Sequence, residues 1–417
     1  MDLKVLSSIL KMMGERSGEG IPLKSVGYCY NLMADYFERA AQAAEQRDKP
    51  FAILHMYTPS ELFYAMDIVP LHTEFHALFA MPMTGVQAQF DAAAGYGIPV
   101  EACSAQRAMI GMAKNGLIPQ PDFIVSSSAV CDAEIKSFEV LAKHFHCPNF
   151  IIDQPYWDNQ KGIEYYVKEL EDLVLFLEDQ TGKRLDQNRL RQTVELSRQA
   201  TKLYKEISQY RKSTPSPMRN LDFFNLCTVY CMMAGTREAV DYFRLVRDEV
   251  KAQVDGKGPA LRAEERFRVS CVFCVPCFAM DILDWMEQEH GVTIACDLGA
   301  FWLVDEEMDP DKPLETLARK AFHIPLALPI VGPADNWSES AVRMSQEYQV
   351  DGTIMFAPIT CKQGCACLRM VKDAIQDRLG IPTLVADCDI IDPSVVSPDE
   401  LKNKLEGFFE TLEECKV

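Results

Sequence analysis

Three cysteines lie close together in the short interval between a predicted strand and a predicted helix. Cys361, Cys365 and Cys367 follow an apolar run that is typical of a buried parallel strand. That run is Thr353–Ala357, and the helix predicted after the cysteines is Leu368–Leu379. An open α/β sheet binds its ligands outside the carboxyl ends of its strands. The position of these thiols therefore favours a ligand-binding role over simple packing.

The cysteine content also needs a chemical explanation, because the chain has 15 cysteines in 417 residues. A disulfide framework is typical of small secreted domains, and the N-terminal apolar segment is too short for a secretory signal. A free cysteine is often a small buried hydrophobe, and we interpret six of them in this way. These six are Cys29, Cys147, Cys227, Cys231, Cys388 and Cys415. The others are Cys103, Cys131, Cys271, Cys274, Cys277, Cys296, Cys361, Cys365 and Cys367.

Cys103, Cys131 and Cys361 each lie in the first turn of a predicted helix. The free backbone N–H groups and the positive end of the helix dipole favour a thiolate at this position. Three thiolates that converge from different segments suit an iron–sulfur cluster with one non-cysteine site. Zinc is the competing interpretation, although structural zinc usually takes four ligands at closer spacing.

The run Cys271–Cys277 has C-x2-C-x2-C spacing, which is similar to the start of a ferredoxin cluster motif. It lacks the C-x3-C-P ending, so it does not identify a cluster by itself. Alternate residues of a strand face opposite sides, and we therefore expect Cys271 in the core and Cys274 at the loop. Cys277 fits either position. Cys296 ends the next predicted strand, and we expect it to face the same cleft.

Other residues near the predicted strand ends could serve a redox site. Five titratable residues could move protons there, although such residues often form only a solvated loop. They are Glu61, Asp67, His72, Glu74 and His76. The aromatic pair Phe301–Trp302 could shield a cluster from water or belong to the core.

Two segments of the chain repeat one order of elements. In the first, Asp122 begins a strand that leads to Cys131, a helix and a further strand. In the second, Asp351 begins a strand that leads to Cys361, a helix and a further strand. We therefore predict an α/β protein with two similar Rossmann-like parallel-sheet domains that face a shared cleft, where cofactor sites concentrate.

A segment with apolar residues at helical spacing separates the two repeats, and we predict that it connects them as helices. The predicted organisation is an N-terminal helical extension at residues 1–19, a first α/β domain at 20–163, a helical connecting segment at 164–265 and a second α/β domain at 266–417.

The charge and hydropathy of the chain exclude some partners. A formal net charge of −19 argues against nucleic acid. No apolar run reaches the length of a membrane span, and we expect a cytoplasmic protein without a membrane partner. The sequence lacks the ATP-binding pattern G-x4-G-K-[ST], so an ATP-driven reaction would need a partner that supplies the energy.

Several stretches together resemble the 2-hydroxyacyl-CoA dehydratase and benzoyl-CoA reductase family. They are Thr58–Pro70, Cys103–Ser104 with Cys131–Asp132, Thr360–Lys362, and Gly380–Leu384 through Asp389–Pro393. Their order and spacing carry the resemblance over most of the chain. The resemblance implies that Cys103, Cys131 and Cys361 hold a 4Fe–4S cluster. It also implies a dimer of two such folds and a separate ATP-hydrolysing 4Fe–4S activator. In the CoA enzymes, the activator's low-potential electron goes to the thioester carbonyl of an acyl-CoA.

The surplus thiols depart from the common family pattern and resemble its double-cubane branch. There, two 4Fe–4S cubanes share a bridging sulfide as an 8Fe–9S unit, and each cubane takes three cysteines. The ligands are then Cys103, Cys131 and Cys361 for one cubane and, by our assignment, Cys274, Cys296 and Cys365 for the other, with Cys277 and Cys367 in reserve. Because this branch resembles ATP-driven reductases of small molecules, we expect an iron–sulfur oxidoreductase that forms a homodimer.

Two alternatives stay open at this point. The chain could be the 4Fe–4S subunit of a heterodimeric 2-hydroxyacyl-CoA dehydratase, which is a lyase, or of a benzoyl-CoA reductase. It could also be a non-catalytic scaffold that zinc or a cluster stabilises. Iron content separates the reductase from the acyl-CoA subunit, because a double cubane holds twice the iron of a single one.

Overall fold

The fold contains two separate four-stranded sheets in which all neighbouring strands are parallel. A computed structural model describes residues 1–17, 23–129, 131–262, 264–298, 308–323 and 332–416. The strands of the first sheet are β1 Phe51–Leu54, β2 Val69–His72, β3 Phe123–Ser127 and β4 Asn149–Ile152. Those of the second are β5 Phe267–Val272, β6 Val292–Asp297, β7 Gly352–Pro358 and β8 Thr383–Cys388. The strand orders, β2-β1-β3-β4 and β6-β5-β7-β8, are equivalent. The prediction of an α/β protein with two similar Rossmann-like domains is confirmed.

Helices follow the strands and also join the two sheets. In the first part of the chain they are α1 Leu3–Arg16, α2 Lys24–Gln46, α3 Ser60–Ala65, α4 Thr73–Thr84, α5 Gln87–Ala94, α6 Ser104–Lys114 and α7 Asp132–Phe145. The connecting helices are α8 Gln160–Thr181, α9 Gln187–Tyr210, α10 Asp222–Met233 and α11 Arg237–Val254. In the last part they are α12 Asp281–His290, α13 Pro313–Phe322, α14 Ala334–Glu347, α15 Lys362–Ala366, α16 Leu368–Leu379 and α17 Pro398–Lys416. A short 3-10 helix, Cys277–Ala279, precedes α12.

The repeated aspartate has the same structural role in both sheets. Asp122 accepts a hydrogen bond from the backbone amide of Phe51 at 2.8 Å, and Asp351 accepts one from the amide of Arg268 at 2.8 Å. In each case the carboxylate fixes the start of the central strand against the start of its neighbour. An otherwise unpaired strand-end N–H group thereby gains a charged acceptor, which is a comparatively strong hydrogen bond.

The first sheet is covered on both faces. One face packs against α8, whose apolar stripe is fully buried and consists of Tyr166, Leu170, Leu173 and Leu177. The same cluster includes Leu317 and Phe322 of α13, which comes late in the chain. A helix from the predicted second domain therefore packs beside the first sheet. The exact domain boundaries stay a prediction.

No helix among the described residues combines the length and the apolar character that a membrane span requires.

Candidate functional site

Cys103, Cys131 and Cys361 occupy the same local position in the structure, the N-cap residue of a helix. Cys131 and Cys361 also follow equivalent strands. Cys131 follows β3, which pairs with β1, and Cys361 follows β7, which pairs with β5. Helices that begin directly after these strands bring their first turns to the carboxyl ends of the sheets. This placement agrees with the helix starts predicted from the sequence.

A hydrogen bond joins the segments that carry two of these thiols. The amide of Ser104 donates to Oγ1 of Thr360 at 3.2 Å, and Thr360 Oγ1 donates to Asp389 at 2.5 Å. A second contact between the same regions places Arg107 Nη1 3.9 Å from Asp392 Oδ2. The loops that carry Cys103 and Cys361 therefore meet at the interface of the two sheets.

Burial controls the acidity of the three N-cap thiols. It raises the pKa of Cys361 to about 11, and it raises the pKa values of Cys103 and Cys131 as well. The neighbouring thiols add to this effect, because Cys361 raises the pKa of Cys103, and both raise that of Cys131. The backbone amides at the helix starts act in the opposite direction but are outweighed. The helix starts thus favour the thiolate form in the expected direction, but burial has the larger effect on these thiols.

Cys274 and Cys365 adjoin this group. Burial is the main cause of the raised pKa of Cys274. The neighbouring Cys361 and Cys277 raise it further, and Cys103 has a smaller effect in the same direction. Cys365 raises the pKa of Cys361 and donates a hydrogen bond from its Sγ to the carbonyl of Pro358 at 3.1 Å. Thiols from both sheets thus lie close enough to influence one another.

Cys296 has a different environment. It is fully buried inside β6, and its Sγ faces the carbonyl oxygen of Met344 in α14 at 3.9 Å. After burial, the groups that most affect its pKa are Arg211 and Asp297, not the cysteines at the interface. Cys296 contributes to the raised pKa of Cys271 in the neighbouring strand, but not to the pKa shifts of Cys274 and Cys361.

The cysteines of the Cys271–Cys277 run, and Cys367, differ in their burial. Cys271 is buried within β5, and Cys274 is only partly buried beyond the strand end, as the alternation of a strand suggests. Cys277 is buried, with its Sγ 3.6 Å from the carbonyl of Val275. Cys367 is partly buried at the junction of α15 and α16.

The spacing of the thiols bears on the zinc interpretation. Within the described ranges, the group tight enough for one metal ion is His55, Glu74 and Glu134, whose ligand atoms all lie within 4.8 Å of one another. No cysteine of those ranges belongs to such a group. A cluster spreads its protein ligands over several irons, so wider spacing suits a cluster better than a single zinc ion.

His55, Glu134 and Gln106 form part of this region but were not predicted from the sequence. His55 Nε2 lies 3.4 Å from Glu134 Oε2 and 3.8 Å from Glu74 Oε1, and Gln106 donates to Glu134 Oε1 at 2.5 Å. Burial raises the pKa of Glu74 to about 7 and that of Glu134 well above its usual range, and it lowers the pKa of His55 to about 3. The available signal was positional, since His55 directly follows β1 and Glu134 lies in the helical turn after Cys131.

Of the five residues considered as proton carriers, Glu74 lies in this group. Glu61 pairs with Lys320 at 2.6 Å, and Asp67 pairs with Lys49 at 3.1 Å. The other two are buried histidines: His72 bonds the hydroxyl of Tyr36, and His76 bonds the carbonyl of Met1. The predicted aromatic cover, Phe301–Trp302, lies outside the described residues.

Comparison with known proteins decides the family. Residues 55–412 match the family described as 2-hydroxyglutaryl-CoA dehydratase, D-component. The chain belongs to this family. The match includes every thiol of the candidate site and both sheets except the strand β1, which ends at Leu54.

Individual members of the dehydratase family match along nearly the whole chain. The alpha subunit of (R)-phenyllactyl-CoA dehydratase from Clostridium sporogenes is 25% identical over 412 residues, covering 96% of this chain and 98% of that subunit. A benzoyl-CoA reductase subunit from Thauera aromatica is 25% identical over 411 residues, covering 92% and 93%. The alpha subunit of (R)-2-hydroxyisocaproyl-CoA dehydratase from Clostridioides difficile is 22% identical and covers 93% and 95%. The chain is thus an enzyme of a family that includes both dehydratases and a reductase.

Proposed function

We propose that this dehydratase-family protein is a low-potential iron–sulfur reductase. It receives electrons from an ATP-hydrolysing activator and reduces small molecules at a double-cubane cluster. The observation that carries the proposal is the grouping of Cys274 and Cys365 with the three N-cap thiols. A single 4Fe–4S cluster with one non-cysteine site uses three cysteines, and the two further thiols supply ligands for a second cubane.

The first cubane takes Cys103, Cys131 and Cys361. When bound, the cluster supplies a strongly reducing electron. The protein stabilises the thiolate ligands with a backbone amide from the first turn of each following helix, which lowers the thiol pKa against the effect of burial. These amides belong to Gln106, Glu134 and Gly364.

The second cubane takes Cys274 and Cys365 together with a third thiol. Cys296 is the choice from the sequence, with Cys277 and Cys367 in reserve. The contacts support Cys277, because its thiol raises the pKa of Cys274, whereas Cys296 faces the carbonyl of Met344.

The second candidate function is that of a 4Fe–4S subunit that acts on an acyl-CoA thioester. The relatives support it, since the dehydratases are named for their acyl-CoA substrates and match this chain over 92% or more of its length in the three comparisons above. In this case Cys274 and Cys365 would be packing residues, and the partner would be a related second subunit.

Turnover with an activator separates these functions. The anaerobically purified protein is mixed with ATP and a 4Fe–4S activator of this family, and is offered small reducible molecules or a 2-hydroxyacyl-CoA. We expect ATP-dependent reduction of small molecules without any CoA thioester. Dehydration of the 2-hydroxyacyl-CoA, with no reduction of the small molecules, would support the second candidate instead.

A further inference from the structure

Three side chains from three neighbouring strand ends meet in the first sheet, beside the cysteine group. His55 directly follows β1, Glu74 lies in the first turn of α4 after β2, and Glu134 lies in the first turn of α7 after β3. Their exposed fractions are 0%, 1% and 6%. The crevice at the carboxyl ends of parallel strands is where such sheets bind ligands.

The distances among these side chains fit one metal ion. Two ligands bound at about 2.0–2.2 Å to a tetrahedral ion lie about 3.3–3.6 Å apart. His55 Nε2 is 3.4 Å from Glu134 Oε2 and 3.8 Å from Glu74 Oε1. All three ligand atoms lie within 4.8 Å of one another. These separations are close to those that ligands of a common ion adopt.

Several polar atoms of this group face one another but make no hydrogen bond of good geometry with any described residue. They are both ring nitrogens of His55, Oε2 of Glu74 and Oε2 of Glu134. Buried polar atoms of native proteins are normally satisfied, so four such atoms at one place indicate a missing partner. Their convergence distinguishes this group from a chance cluster of acidic residues.

The charge of the group also requires compensation. Two carboxylates and an imidazole are buried together, and in the part of the chain that the structure describes no lysine or arginine pairs with either carboxylate. Isolated buried carboxylates are very unfavourable unless a proton or a cation neutralises them. A divalent cation would neutralise both at once and would also satisfy the unpartnered oxygens and one imidazole nitrogen.

We propose that His55, Glu74 and Glu134 form a binding site for a single divalent first-row transition-metal ion. Imidazole with carboxylates suits Zn²⁺, Fe²⁺ and Mn²⁺, and three protein ligands leave a position for water or another small oxygen ligand. Gln106, which donates to the other oxygen of Glu134, orients that carboxylate from the second coordination shell. The inference does not rest on the type of cluster at the cysteines.

The competing account is a proton shared between Glu74 and Glu134, with no ion. Mn²⁺ separates the two accounts because it prefers carboxylate and imidazole ligands and avoids the nearby thiols. The full-length protein is dialysed against Mn²⁺ in an excess of Mg²⁺, which occupies exposed acidic sites. We expect one Mn²⁺ to remain per chain, detected by electron paramagnetic resonance, with hyperfine coupling from an imidazole nitrogen.

Variants test the ligands in the same dialysis. His55→Gln and the double variant Glu74→Gln/Glu134→Gln should each lose the retained Mn²⁺. His76→Gln is the matched control, because His76 is a buried imidazole on α4 that bonds the carbonyl of Met1 instead, and it should keep the ion. A folded wild-type protein that retains no Mn²⁺, or a retained ion without nitrogen coupling, would overturn the proposal even if the variants fail to fold.

Discussion

The backbone amide of Ser104 donates a hydrogen bond to Oγ1 of Thr360 at 3.2 Å, across the interface of the two sheets. Each residue adjoins a proposed cluster ligand, Cys103 in the first case and Cys361 in the second. The hydroxyl of Thr360 is held in turn by Asp389. These hydrogen bonds hold the segment of Cys103 beside the segment of Cys361, and they do not depend on a cofactor.

Replacement of Thr360 by valine tests this alignment. The variant keeps the shape of the side chain but removes the acceptor of the Ser104 amide and the donor to Oδ2 of Asp389, whose Oδ1 keeps two backbone amides. We expect a loss of about 1–3 kcal/mol in the free energy of unfolding and a lower iron content. Denaturant unfolding and iron analysis measure the two effects. Thr360→Ser retains the hydroxyl and should resemble the wild type; equal losses in both variants would contradict this explanation.

Cys365 is the thiol that most clearly separates one cubane from two. It lies four residues after Cys361, and its amide bonds the carbonyl of Cys361 at 3.0 Å, so both side chains lie on one side of a helical turn. If Cys365 anchors the second cubane, Cys365→Ser should remove up to half of the iron and abolish small-molecule reduction. Iron analysis of the purified variant checks this.

Two further variants calibrate the Cys365 result. Cys361→Ser should lose iron with either cluster type and is the positive control. Cys147→Ser changes a partly buried cysteine interpreted as packing, and it should keep its iron. Full iron and full activity in Cys365→Ser would rule out the second cubane at this residue.

A buried ion pair joins α13 to α3, the short helix that follows β1. Lys320 lies 2.6 Å from Glu61, and the exposed fractions of their side chains are 8% and 0%. Lys320→Met leaves Glu61 as an uncompensated buried charge, and we expect a loss of about 3–5 kcal/mol in the free energy of unfolding. The double variant Glu61→Gln/Lys320→Met should recover much of this loss in denaturant unfolding. A double variant no more stable than Lys320→Met would contradict the charge argument.

The stability of the protein should also fall on acidification because of His72. Burial lowers the pKa of His72 to about 3, whereas an unfolded chain has a histidine pKa of about 6.5. Between these values the unfolded state binds the extra proton, so stability is present above about pH 6.5 and is lost as the pH falls. The loss reaches about 1.4 kcal/mol per pH unit for one such group.

His72→Gln removes this proton and isolates its effect. We expect a shallower dependence of the free energy of unfolding on pH between about 6.5 and 4 than in the wild type. Denaturant titrations at several pH values provide the comparison, and the absolute stability of the variant does not matter for it. Equal slopes in the two proteins would show that His72 does not contribute.

Local signals predicted much of the fold. The helix predicted at Leu368–Leu379 has those bounds in the structure. Its apolar spacing indicates the buried face, and Gly380 indicates where the helix ends. Predicted helices that begin near Cys103 and Cys131 start one residue later, which makes the cysteines N-caps. Helix bounds and capping positions depend on residues that are close in sequence, so local patterns are enough to predict them.

Side-chain direction and long-range contacts were harder to predict. The register of β5 and β6 shifts between Val269 and Ser270, so the face on which Cys296 lies did not follow from its place near a strand end. His55 and Glu134 come from segments separated by many residues and meet Glu74 only after the first sheet has formed. Neither residue belongs to a short motif, so spacing alone gave no reason to select them.

The iron and acid-labile sulfide content of each chain tests the central proposal most directly. The protein is purified without oxygen, and both contents are determined against a protein concentration measured by amino-acid analysis. A double cubane predicts about eight iron atoms and about nine sulfides per chain, whereas a single cluster holds about four of each. A fully loaded, active protein with about four irons and four sulfides per chain would contradict the account.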